Sequence, residues 1–296
     1  MDQFTVSTKL IITVMPVVVF CAIVLTSFLV FCTKVLLYGM PKSPRVQQEG
    51  NSIFLSKLFM EFWTWFIRPI VQLLIKLKIS PDAITIMGAI VAAGAGLAFH
   101  FGSFLVGGWM ILAAGTFDML DGNVARATNG TSKSGAFLDS TLDRYAELFM
   151  FAGLISYYKD TSFLIVVLLA VIGSMMVSYA RARAEGVGVD ARMGNMQRTE
   201  RIVYLGLGTA FAPVVAIFIE PNAIKPFYHL GMLVITVVAI FANATALRRM
   251  VYTYKTLKVR NGKAEAKVIS LPKSQPPELA RVSVQAGREY NESVLG

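Results

Sequence analysis

The stretch "FDMLDGNVARATNGTSKSGAFLDSTLDR", residues 117–144, decides how this chain is read. It carries four aspartates, Asp118, Asp121, Asp139 and Asp143, inside one of the most apolar parts of an apolar sequence. Asp118 and Asp121 are three residues apart, and Asp139 and Asp143 are four apart. Both spacings place side chains on one face of a helix. Gly122 and Ala125 share the face of the first pair, and Gly135 precedes the second pair by one turn. Small residues there thin the helix surface, so that a ligand can approach the carboxylates.

Four carboxylates in one hairpin repel one another unless cations sit among them. Arg126, Lys133 and Arg144 are near enough in sequence to pair with some. A divalent metal is the better solution, and an oxygen-only ligand set favours Mg²⁺, Mn²⁺ or Ca²⁺. Two such ions can stabilise a phosphoryl displacement from both ends. The plainer alternative is an ion-pair cluster that only holds two helices together. Ionisable groups within a membrane domain point to function by default.

Working outward, the chain is 55% hydrophobic and only 16% charged, where a soluble domain carries about a quarter charged residues. Long uncharged runs make it an all-α integral membrane protein. The net charge of +10 is explained by basic cytoplasmic loops. Nucleic acid is not implied, because no aromatic-basic stripe or nucleic-acid motif is present. Cys21 and Cys32 support neither a metal site nor a disulfide framework and read as lipid-facing or packing residues. His100 and His229 stand alone near the ends of apolar runs and read as structural.

Residues 10–33 are uncharged and long enough to cross a bilayer at about 1.5 Å per residue. A cleaved signal peptide has a shorter apolar core, so this run reads as a retained transmembrane anchor. A polar connector follows, and residues 1–50 form the first unit. Next, "SIFLSKLFMEFWTWFIRPIVQLLIKLK" reads as an interfacial amphipathic helix interrupted near Pro69. Residues 83–117 contain no Asp, Glu, Lys or Arg. They are too long for one span and break at "FHFGSF", giving helices near 81–100 and 104–126. Further helices are expected near 134–158, 162–182, 202–219 and 227–248. Residues 51–252 thus hold the amphipathic helix and a six-helix catalytic unit. Residues 253–296 read as a polar cytoplasmic tail, poorly ordered.

Basic residues mark one side of the bundle, among them Arg126, Arg144, Arg181, Arg183, Arg192, Arg198, Arg201, Arg248 and Arg249. The positive-inside rule makes that side cytoplasmic. The six core helices then begin and end in the cytoplasm, and the N-terminal anchor begins outside.

The pattern Asp-x2-Asp-Gly-x2-Ala-Arg-x8-Gly-x3-Asp-x3-Asp, matched at Asp118, Asp121, Gly122, Ala125, Arg126, Gly135, Asp139 and Asp143, resembles the signature of the CDP-alcohol phosphotransferase family. The resemblance covers roughly residues 55–252. It implies a six-transmembrane-helix core, a homodimer, a location in the cell membrane and a polar cavity open to the cytoplasm. It implies two divalent ions, Mg²⁺ or Mn²⁺, held by Asp118, Asp121, Asp139 and Asp143. Asp143 would also be the general base that deprotonates an acceptor hydroxyl, which then attacks the β-phosphorus of a CDP-linked lipid and releases CMP. The CDP-lipid site implied by the resemblance comprises Asp82, Thr85, Asp118, Gly122, Arg126 and Lys133. For "ISPDAITIMG", residues 79–88, the plainer reading is a helix start, with Ser80 as N-cap and Pro81 at N1; both readings can hold.

"GAFLDSTLDR", the "ARAE" after Arg181 and "RTER" at 198–201 further resemble the phosphatidylinositol phosphate synthase branch. That branch takes inositol 1-phosphate, and the resemblance makes Arg181, Arg183, Arg198 and Arg249 a clamp for the acceptor's phosphate. Guanidinium forks suit such a group. Arg181 stands where the branch often has lysine. Glycerol 3-phosphate is an alternative acceptor with the same chemistry. A divalent-cation transporter is a more distant alternative, disfavoured by acids that lie at a helical hairpin instead of along a through-path.

Overall fold

The structure, a computed structural model, describes residues 3–39, 57–194, 196–221 and 223–269. Residues 40–51 of the expected connector (39–51), the first residues of the expected amphipathic helix and the end of the expected tail lie outside the described residues. Among the described residues every regular element is a helix: α1 (Gln3–Tyr38), α2 (Lys57–Lys76), α3 (Pro81–His100), α4 (Phe104–Ala127), α5 (Lys133–Tyr158), α6 (Leu164–Gly186), α7 (Arg198–Ile219) and α8 (His229–Ile269). Six of these, α1, α3, α4, α6, α7 and α8, are long and apolar enough to cross a membrane. The sixth core helix, α5, has 26 residues, about 39 Å of helix. Its charged residues lower its hydropathy, and of these Asp139, Asp143, Arg144 and Glu147 are buried or half-buried against the other helices. The chain is a multi-pass membrane protein.

Local sequence sets the helix starts. Ser80 caps α3, its Oγ accepting from the Ala83 amide at 3.3 Å with Pro81 in the first turn. Ser132 caps α5, accepting from the Gly135 amide at 2.9 Å. Gln197 and Glu200 form a reciprocal capping box at the start of α7, which satisfies amides that would otherwise be orphaned.

Two local expectations were overturned. Pro69 does not interrupt α2, which runs continuously through it. A proline removes one ladder hydrogen bond and its ring crowds the carbonyl four residues earlier, yet α2 stays helical with Ile67 and Val71 packed on Ile84, Leu120 and Val124. The chain also does not leave helix near residue 253, since α8 continues to Ile269. Its polar extension is anchored where Arg260 donates to the Gly188 carbonyl at 2.9 Å and Leu257 packs on Ala184, Val189 and Ala191.

The core is an up-and-down bundle in which α3 packs on α4 and α5, α4 on α7, and α6 on α8. Large apolar side chains such as Ile90, Leu97, Ile165, Ile172, Leu233 and Ile240 face outward. Helix association in lipid relies on close backbone approach, and Gly96 and Gly153 show it. A Cβ on Gly96 would meet the carbonyl of Phe149, and one on Gly153 would meet the carbonyl of Gly96. The obstructing atoms are backbone and cannot swing aside. Gly96→Val is therefore expected to destabilise the protein by about 1–3 kcal/mol. Thermal melts in detergent would measure this, and an unchanged Tm would refute the account.

One end of the bundle gathers the loops 101–103, 159–163 and 220–228. There Tyr228 donates to the Gly102 carbonyl at 3.0 Å and Tyr158 to the Phe227 carbonyl at 2.8 Å. Phe104 lies against Tyr157, Tyr158 and Tyr228. The opposite end gathers the start of α3, the α4–α5 turn, the end of α6 and the start of α7. All four aspartates are at that end.

Candidate active site

Three of the aspartates converge. One carboxylate oxygen from each of Asp118, Asp121 and Asp139 lies within 4.8 Å of the others. Asp121 is buried. Its Oδ2 accepts from Thr85 Oγ1 at 2.7 Å and its Oδ1 from the Gly122 amide at 2.5 Å. Asp143, the fourth of the expected set, stands beside this group, joined to Asp118 by a shared cation: Arg198 reaches Asp118 Oδ1 at 2.8 Å and Asp143 Oδ1 at 2.5 Å. A cleft of about 20 Å³ is lined by Thr85, Gly88, all four aspartates and Arg198. That volume admits about one water-sized sphere.

This donor set fits a hard divalent cation. The groups able to ligate a cation there are carboxylate oxygens, the three converging carboxylates repel unless a cation lies between them, and no histidine or thiolate lines the cleft. Thr85 fixes the orientation of Asp121, as an outer hydrogen-bond partner does for a metal ligand.

The residues expected at the nucleotide are placed around the cleft rim. Thr85 is committed to Asp121 and also donates to the Pro81 carbonyl at 3.1 Å. Asp82 is exposed, and its Oδ1 would be 3.4 Å from a Cβ on Gly135. The starts of α3 and α5 thus meet where the sequence has glycine. Arg126 folds back over Gly122, whose added Cβ would lie 3.3 Å from Arg126 Nη1. Arg126 also donates to Asn123 Oδ1 at 3.2 Å. Lys133 is exposed at the first position of α5.

The expected arginine clamp is spread over several roles. Arg198 lies within the aspartate group. Arg249 is 2% exposed and donates to the carbonyls of Val177 and Met193, both at 2.8 Å, tying α8 to α6 and to the loop before α7. Arg181 pairs with Glu185 at 2.9 Å. Arg183 is exposed. Arg249 lies within electrostatic reach of Arg181, Arg201 and Glu185; of the four expected clamp arginines, Arg198 is the one that lines the aspartate cleft.

The sequence reading missed Glu147 and misplaced Arg201. Arg201 belongs to no solvated loop; it is fully buried. Its Nε and Nη2 donate to Glu147 Oε1 and Oε2 at 2.7 and 3.1 Å, and its Nη1 donates to the Met196 carbonyl at 3.2 Å. Glu147 follows Asp143 by four residues and Arg201 follows Arg198 by three. The two pairs therefore occupy matching faces of α5 and α7. The signal in the sequence was a glutamate at that spacing in an apolar run.

A larger cavity, about 640 Å³, opens beside the cleft. It lies between α1, α2, α4 and α7 and is walled by Phe28, Phe62, Trp63, Trp109, Leu112, Ile202, Leu207 and Phe211. Asp118 lines both this cavity and the aspartate cleft.

Residues 78–246 match the CDP-alcohol phosphatidyltransferase family. The chain belongs to that family. Its members among curated proteins include an archaetidylinositol phosphate synthase from Methanothermobacter thermautotrophicus, 33% identical over 193 residues, which span 65% of this chain and 91% of that protein. A phosphatidylinositol phosphate synthase from Streptomyces avermitilis is 36% identical over 183 residues, 59% of this chain and 75% of that one. Among solved structures, Mycobacterium tuberculosis phosphatidylinositol phosphate synthase with CDP-DAG bound superposes with a TM-score of 0.55 at 27% identity, covering 63% of this chain and 92% of that chain. The same enzyme with manganese and citrate matches equally, again with a TM-score of 0.55. This CDP-alcohol phosphatidyltransferase is thus an enzyme of phospholipid synthesis, and its converging aspartates fit a divalent metal. The family match excludes α1.

Proposed function

We propose that the enzyme transfers a phosphatidyl group from CDP-diacylglycerol to inositol 1-phosphate, giving phosphatidylinositol phosphate and CMP. The observation that carries this reading is the cleft in which Asp118, Asp121, Asp139 and Asp143 meet Arg198. The relatives named for inositol phosphate lipids, and the related enzyme solved with CDP-DAG, support the donor and the acceptor. In this reading Asp118, Asp121 and Asp139 hold two divalent ions, Mg²⁺ or Mn²⁺, with Asp143 sharing one of them. When bound, the ions neutralise the donor's pyrophosphate and the charge that develops on departing CMP.

The chain's own residues position the reactants. Asp143 accepts the proton of the acceptor hydroxyl as that oxygen attacks the β-phosphorus. Arg198, already against Asp143, offers a guanidinium fork to the acceptor's phosphate, with Arg181, Arg183 and Arg249 supplying the surrounding positive field. Asp82, Gly122, Arg126 and Lys133 line the approach of the nucleotide. The apolar cavity next to Asp118 takes the donor's hydrocarbon. The basic end of the bundle faces the cytoplasm, the N-terminus lies outside, and two copies associate as a homodimer.

Purified protein supplied with CDP-diacylglycerol should release CMP when given inositol 1-phosphate. It should do so far more slowly with glycerol 3-phosphate and not with free inositol. EDTA should abolish the release, and Mg²⁺ or Mn²⁺ should restore it. Release that depended on glycerol 3-phosphate alone would overturn the acceptor. Full activity in EDTA would overturn the metal.

A further inference from the structure

We propose that α1, which lies outside the family match, is a wall that selects the chain length of the lipid donor; this rests on the donor assigned under the proposed function. Cys21, Val24, Leu25 and Phe28 recur at helical spacing, and all four line the apolar cavity that ends at Asp118. Without α1 the cavity would be a groove open to lipid between α2, α4 and α7. With it, the groove has a fourth side.

The wall is fastened. Phe31 is 2% exposed, although most of the other described side chains of α1 are exposed. Its ring lies 5.7 Å from those of both Phe62 and Trp65, and Phe28 meets Phe62 edge-to-face at 5.1 Å. The Lys34 ammonium sits over Trp65 at 5.1 Å from the ring centre. Aromatic and cation–π contacts of this kind favour a fixed geometry over sliding in lipid. α1 also packs along α7, the helix that presents Arg198.

The occupant follows from the surroundings. The lining is apolar along segments that cross the membrane, so hydrocarbon fills the space without leaving a polar group unsatisfied. The cavity meets the metal site at Asp118, where the headgroup end of a lipid donor would lie. A volume of about 640 Å³ falls in the range of pockets that enclose a ligand, about 300–1,000 Å³. A finite, four-sided pocket accommodates a chain only up to a certain length, whereas an open groove has no such limit.

The test uses the full chain in detergent and measures CMP release from CDP-dioleoylglycerol and from CDP-dioctanoylglycerol. Val24→Trp fills the cavity and should raise KM for the long-chain donor roughly tenfold, with kcat and the short-chain donor little changed. Val24→Ala enlarges the cavity without adding bulk and should shift preference toward longer chains. Leu36→Trp, on a fully exposed part of α1 at 87% exposure, should match the unaltered protein. An unchanged long-to-short ratio in both Val24 variants would overturn the wall. A second readout needs no turnover: CDP-diacylglycerol with a diazirine in one acyl chain should label residues 21–28 and be competed by unlabelled donor. If the unaltered protein released no CMP from any CDP-lipid, the proposed reaction would fall. The labelling would then decide the wall by itself, and label confined to other helices would end it.

Discussion

Asp143→Asn is expected to reduce CMP release by about 10²–10⁴-fold, the range that loss of a general base produces, while the protein stays folded and still binds CDP-lipid. The substitution conserves shape and removes only the charge that a base needs. Asp143 lies beside the trio formed by Asp118, Asp121 and Asp139, so that trio survives the change. Arg198 keeps its 2.8 Å contact with Asp118, which maintains the α4–α7 junction. Binding of the donor in the presence of Mg²⁺ or Mn²⁺, measured beside single-turnover CMP release, separates the roles. A variant with normal turnover would sink the assignment of Asp143 as base. A variant that lost donor binding as completely as Asp118→Asn would make Asp143 chiefly a metal ligand.

The largest effect on stability is expected at Glu147. Glu147→Ala leaves the Arg201 guanidinium buried, with the Met196 carbonyl as its remaining hydrogen-bond partner among the described residues. Stranding a buried charge in this way costs about 3–5 kcal/mol, a fall in Tm on the order of 10 °C for a domain of this size. Removing both charges is a different matter. Glu147→Leu combined with Arg201→Met replaces the pair with hydrocarbon of similar bulk and should recover most of the loss, since buried ion pairs contribute little net stability against apolar substitutes. Thermal melts of the two single variants and the double variant provide the coupling directly. If Glu147→Ala melted like the unaltered protein, the pair would not be holding α5 to α7. The double variant should melt well yet turn over more slowly. The pair sets the register that brings Arg198 to Asp143, one helical turn away on each element.

Much of the site could be read from sequence because its chemistry is local. The four aspartates lie in one helical hairpin, with spacings of three and four that a helix converts into a common face. Thr85 was named through the resemblance of "ISPDAITIMG" to a segment of the family. The capping Ser80 was legible, since a cap depends on residues within one turn, whereas the cap at Ser132 came from the structure. Helix lengths followed from uncharged runs measured against bilayer thickness. Pro69 and the region beyond residue 252 were misread for one reason: local helix signals were weak there, and tertiary contacts supplied what propensity lacked.

By itself, the sequence determined a membrane protein with a carboxylate hairpin suited to a cation, and the resemblance of that hairpin's signature to a known family implied the reaction class. Only the tertiary structure decided which charges meet. Arg198 and Arg201 are three residues apart and look alike in sequence. Yet one enters the aspartate cleft, and the other is buried against Glu147, 54 residues away. Tertiary structure also decided that Arg249 serves the backbone of α6 and the loop before α7, and that α1 closes a cavity against three later elements. These are pairings across helices, set by how surfaces far apart in the chain fill space together, and no periodicity within one segment encodes them.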